Sequence, residues 1–214
     1  MDKPLKLIIV SIVILLAFTF FNNYLDFSLA KAKVKNGFVN KNVIPICCAW
    51  GPEIKGGVLT YSIQGGSTSL NNAVTKAIDS WNNNLNGIHF VKTTTGTENI
   101  VVSFTKDGKK VAGKTINSVD SDGFIRKSYV TLSQKSFNHP FSSAQMEQIV
   151  EHEFGHVLGL NHANFNGNLM SNRVDIASGT ISSCVIEAVN TANAWKLMEG
   201  GASMHGPTKN YVEC

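Results

Sequence analysis

The sequence predicts an α+β domain whose sheet is mixed and mostly parallel. Three observations carry this. Residues alternate or run apolar in short, β-branched stretches through the first two thirds of the chain. One long amphipathic segment interrupts those stretches early. Two further helical segments follow them, so the order is strand, helix, several strands, then two helices.

Val58-Leu59-Thr60-Tyr61-Ser62-Ile63 alternates and is rich in β-formers, the mark of a strand. Leu70, Ala73, Val74, Ala77, Ile78, Trp81 and Leu85 recur every three or four residues, which predicts a long helix from near Ser69 to Asn86-Gly87. His89-Phe90-Val91, Ile100 to Phe104, Val111 to Ile116 and Ile125 to Leu132 read as further strands, linked by polar, glycine-bearing segments. Ser142 with Gln145 three residues on is a capping box, and it opens a helix running to about Leu158. A last helix is expected over roughly Ser182 to Met198. No repeats appear.

With 214 residues, 43% hydrophobic, the chain can bury one sizeable core plus a short appendage. Charged residues make up 16%, too few for a disordered polyelectrolyte. The net charge of +4 belongs to the first 41 residues, where Lys3, Lys6, Lys31, Lys33, Lys35 and Lys41 face only Asp2 and Asp26. From Asn42 onward basic and acidic residues balance, which argues against a nucleic-acid partner.

Lys3 and Lys6 precede an apolar run from Leu7 to Phe21, broken only by Ser11 and Thr19. As a helix these residues span about 22 Å, short of a hydrocarbon core of about 30 Å. Ser28-Leu29-Ala30 then offers small residues at signal-peptidase spacing. Residues 1–30 are therefore expected to be a signal peptide or, uncleaved, a membrane anchor through residues 7–21. Both place the body outside the cytoplasm, secreted or tethered to the outer face of the membrane. Residues 31–46 read as a basic linker, and 47–214 as the single domain, expected to act as a monomer. Cys47, Cys48, Cys184 and Cys214 are disulfide candidates in an exported chain. A bond between adjacent cysteines would be strained, so Cys47 and Cys48 are each expected to pair with Cys184 or Cys214, in an open order.

The chemistry lies in His152-Glu153-Phe154-Gly155-His156-Val157-Leu158-Gly159-Leu160-Asn161-His162. A helix stacks His152 and His156 on one face, one turn apart, where two imidazoles can share a metal. Glu153, about 100° round, suits a carboxylate beside the metal better than a ligand. His162 would sit about 120° off and 9 Å further along an unbroken helix. The chain must therefore turn after Leu158, and Gly159 is the residue able to take a left-handed conformation there.

This eleven-residue segment resembles the metzincin zinc peptidases, and within them the matrixins. Met170, eight residues past His162, stands at the matrixin spacing of the methionine turn. The region from Trp50 to Glu199 follows matrixin-like order. The resemblance implies a zincin-type fold, one catalytic Zn2+ on His152, His156 and His162, Glu153 as general base, and Met170 as a hydrophobic floor. It implies an endopeptidase acting on protein or peptide substrates, with an extended substrate pairing to an edge strand near Val111 to Thr115. Departures are visible too. No His/Asp-rich loop precedes the helix, so a second, structural zinc is not expected, and Ser171-Asn172 stand where the family has a tyrosine and a proline. Asp120 and Asp122 beside Gly123 could ligate Ca2+ or form a solvated turn. The Cys47-Cys48 surroundings lack the family's latency pattern, so no cysteine latch is expected. Two other readings stay open: a non-catalytic exported zinc module, and a zinc amidase acting on cell-wall peptides.

Overall fold

In the computed structural model the chain divides into two units, Met1–Lys41 and Asn42–Cys214. The structure describes residues 41–106, 110–172, 179–194, 206–207 and 209–214. The expected export segment and most of the linker lie outside the described residues, as does the expected final turn of the last helix, Trp195 to Met198. Among the described residues no helix is long and apolar enough to cross a membrane.

The elements are β1 (Val43–Pro45), β2 (Ala49–Trp50), a 3-10 turn (Pro52–Gly57), β3 (Val58–Gln64), α1 (Thr68–Asn84), β4 (His89–Lys92), β5 (Ile100–Thr105), β6 (Gly113–Val119), β7 (Phe124–Ser133), β8 (Lys135–Ser136), β9 (His139–Pro140), α2 (Ser143–Val157), α3 (Ser183–Ala192) and β10 (Tyr211–Glu213). The main sheet runs β2-β7-β5-β3-β4, every pair parallel, with β6 antiparallel to β7. The sheet is thus mixed and mostly parallel, as the sequence predicts.

Strand alternation decides which face is covered. Leu59, Tyr61, Phe90, Ile100, Val102, Val130 and Leu132 are buried, while their neighbours Val58, Val91 and Tyr129 are exposed. On the covered face α1 buries Ala73, Val74, Ala77, Ile78 and Trp81, the stripe read from its periodicity. Helix α2 buries Met146, Ile149, Val150, Phe154 and Val157 against the same core. Phe154 is fully buried, with its ring edge-on to Tyr61 and Phe90 at 6.5 and 5.1 Å. The Trp81 indole donates to the Glu151 carbonyl at 3.0 Å and locks the two helices together. Helix α2 opens on the full capping box of Ser142 and Gln145.

Two expectations need correction. The compact unit starts at Asn42 rather than at Cys47: Val43, Ile44 and Ile46 are buried, and β1 pairs with β10 at the other end of the chain. A basic composition upstream does not make those apolar residues a linker. The disulfides also differ, for Cys47 is bonded to Cys48 and Cys184 to Cys214. The reason is register. The Cys214 amide donates to the Asn42 carbonyl, and an extended strand then carries the chain about 16 Å to Cys47. Cys214 instead lies beside the first turn of α3, 5.7 Å from Cys184 between Cα atoms.

Candidate metal centre

Helix α2 leaves orphan carbonyls at its C-terminus, and other elements claim them. The Trp50 indole donates to Val157 O at 2.8 Å, and Asn193 at the end of α3 donates to Leu158 O at 3.2 Å. Asn117 of β6 donates to His156 O at 2.8 Å. Gly159 then adopts φ +96, and a Cβ there would collide with the Cys48 carbonyl oxygen. Glycine is needed here for both conformation and room. The Cys47 amide donates to Gly159 O at 2.9 Å and Asn161 N to Pro45 O at 2.8 Å, so the strand before the cysteines fastens the turn.

That turn brings His162 back to the helix. The ligand nitrogens of His152, His156 and His162 lie within 4.8 Å of one another. Nε2 of His156 stands 3.1 Å from Nε2 of His152 and 3.3 Å from Nε2 of His162. Nδ1 of His152 faces Leu169 O at 2.6 Å, and Nδ1 of His156 faces Leu160 O at 2.7 Å. A carbonyl only accepts, so Nδ1 carries the proton in both rings and Nε2 presents a lone pair. Burial holds all three rings below the ordinary histidine range, His156 down to about 3 with help from His152 and His162. The three rings are neutral at neutral pH, the state that binds a metal.

The unprotonated Nε2 atoms of His152 and His156, facing each other at 3.1 Å, repel unless a cation lies between them. A tetrahedral metal with nitrogen ligands at about 2.0–2.1 Å has edges of about 3.3–3.4 Å, close to the separations found. The donor set fits such an ion.

Glu153 lies beside the triad and is buried, and burial raises its carboxyl to about 7. Thr115 of β6 donates to its Oε2 at 2.7 Å, the one opposing influence. Met170, fully buried, lies with its sulfur against Gly155 of α2, where any Cβ would collide with it. Its carbonyl accepts from Ala163 N at 2.7 Å, which ties the methionine turn to the residue after His162. Two cavities flank the triad. One, of about 720 Å³, is lined by Val111, Gly113, Gln148, Glu153, Ser171 and Asn172 among others. The other, of about 610 Å³, reaches Cys47, Cys48, Asn117, His156 and Asn161.

Sequence reasoning put Gly113 and Thr115 on a strand and a substrate edge but did not link them, or Asn117, to the helix, and β6 starts two residues and ends three residues later than the strand it expected. The expected edge near Val111 to Thr115 overlaps β6, whose described partner is β7 alone. Asp120 directs Oδ1 to the amides of Asp122 and Phe124 and Oδ2 to Arg126, so its carboxylate is already engaged.

The matrixin model (peptidase family M10) matches residues 50–183. Among solved structures, two of myroilysin are similar at 22% and 23% identity, with TM-scores of 0.40 and 0.38. The matches cover 56% and 59% of this chain and 54% of each myroilysin chain, so they span about half the length of those proteins. The family match contains the histidine helix, its turn and Met170 and takes in most of the chain, and the chain belongs to the matrixins, a metalloendopeptidase family.

Proposed function

We propose that this chain is an exported zinc endopeptidase, with His152, His156 and His162 as zinc ligands and Glu153 as general base. The observation that carries it is the convergence of three neutral histidines, with the Nε2 of His156 at tetrahedral-edge spacing from those of His152 and His162, beside a buried carboxylate. Held by these three nitrogens, zinc would supply Lewis acidity towards a carbonyl and would acidify water. Glu153, raised towards neutral pH, accepts a proton at its carboxylate and returns it to the departing amide nitrogen. The edge strand β6 offers backbone groups to an extended peptide, and the cavities on either side of the triad accept its side chains. Openness on both sides favours cleavage within a chain.

Export is supported by the apolar run at residues 7–21 behind Lys3 and Lys6 and by four cysteines paired in two disulfides. Incubating the purified chain with a diverse peptide library, and reading the products by mass spectrometry, tests the activity. Internal cleavages that a chelator stops support the endopeptidase. Cleavage confined to cell-wall peptides would favour the amidase, and no cleavage by zinc-loaded protein would favour the non-catalytic module.

A further inference from the structure

The inner face of β6 is built as a clasp on α2. Strand alternation turns Gly113, Thr115 and Asn117 towards the helix and leaves Lys114, Ile116 and Ser118 outward and exposed. Asn117 grips the helix at His156 O and is itself held by Ser128, whose hydroxyl donates to Asn117 Oδ1 at 2.7 Å. One strand step earlier, the Thr115 hydroxyl reaches Glu153 Oε2 at 2.7 Å, with Glu153 O a longer second acceptor at 3.1 Å. The single proton serves chiefly the shorter, charged acceptor. At Gly113 a Cβ would collide with Glu153 Oε1 and lie 2.7 and 2.8 Å from its Cγ and Cδ. Its backbone does not occupy the left-handed region, so the glycine provides room rather than conformation.

We propose that Thr115 is the positioning residue for the Glu153 carboxylate and that Gly113 is the gap that admits it. The edge strand that pairs with the substrate backbone thereby also aims the base. A free glutamate side chain turns about three bonds. Clamping Oε2 fixes the carboxylate plane and, with it, the place of Oε1 against Gly113. The geometry that proton transfer needs then exists before substrate arrives, and displacements of about 1 Å in such sites cost about 10²-fold. This inference rests on the reading of Glu153 as the base.

The test uses the full chain carrying Thr115→Val, Thr115→Ser or Gly113→Ala, with kcat, KM, bound zinc and Tm measured for each. Thr115→Val keeps the shape and removes the donor. It should lower kcat at least about tenfold with KM within about twofold and zinc unchanged, and Thr115→Ser should recover kcat to within about threefold of wild type. The atoms nearest a Cβ at Gly113 all belong to the Glu153 side chain and none to backbone, so Gly113→Ala should fold, bind zinc and lose about 10²-fold in kcat. In a Glu153→Gln background Thr115→Val should have no further effect, the signature of two residues acting as one. A Thr115→Val enzyme with kcat within twofold of wild type would overturn the proposal, as would a serine variant no better than valine, or a loss confined to KM. If Glu153→Gln kills activity while Thr115→Val is silent, only this inference fails. If Glu153→Gln stays active, the base assignment fails with it.

Discussion

The two sides of helix α2 are held by opposite means. Its back is apolar: Phe154 and Val157 are fully buried in the shared core, with Trp81 and Trp50 closing over it. Its front is polar, with Thr115 and Asn117 donating to it and its His152 and His156 nitrogens meeting that of His162 beyond the turn. The difference separates two duties. The back fixes where the helix is, chiefly through apolar burial, with two indole hydrogen bonds to helix carbonyls. The front fixes what the helix can do, through a few hydrogen bonds that contribute little to stability. Changes at the back should therefore cost stability and spare the chemistry of what remains folded, and changes at the front should do the reverse.

The largest effect should come from the front. His156→Ala leaves two ligands, and bound zinc should fall to under about a tenth of wild type by elemental analysis. Undiminished zinc would mean that the triad is not the metal site. At the back, Phe154→Ala should cost about 3–5 kcal/mol in urea unfolding, while kcat per folded, zinc-loaded molecule stays within about threefold of wild type. Removing the Cys184–Cys214 bond by a double alanine substitution should cost about 3–4 kcal/mol, since it closes a loop of 30 residues. It lies in neither flanking cavity, so activity should be untouched.

The smallest expected effect concerns acid. In metal-free protein the three histidines are held below 6.5, so the unfolded chain binds more protons and stability falls as pH drops below about 6.5. Glu153 works against this, because its raised carboxyl gives stability below 4.5 that is lost as pH climbs through about 7. Replacing it with glutamine should steepen the loss of stability on going from pH 7 to pH 5 by about 1–2 kcal/mol. Equal slopes in the two proteins would show that the carboxyl is not shifted.

Much of this was legible in the sequence, for identifiable reasons. Helices α1 and α2 announce themselves by period and cap, and the offsets of His152, His156 and His162 around Gly159 allow one sharp turn. The β1–β10 pair was illegible because three-residue strands carry no usable period and their partners stand at opposite ends of the domain. The disulfide pairing depended on that register and was misread with it. The front of the site was half legible. Ligands repeat along a helix, but Thr115 and Gly113 meet Glu153 across a long-range strand–helix contact that no local spacing encodes.

The central claim, that Glu153 does chemistry while the histidines hold the ion, is tested most directly by Glu153→Gln. Zinc content and cleavage of a defined peptide should be measured on the same preparation. The expected result is one zinc per chain, as in wild type, with kcat lower by at least about 10²-fold. Activity within threefold of wild type at full zinc occupancy would contradict the account.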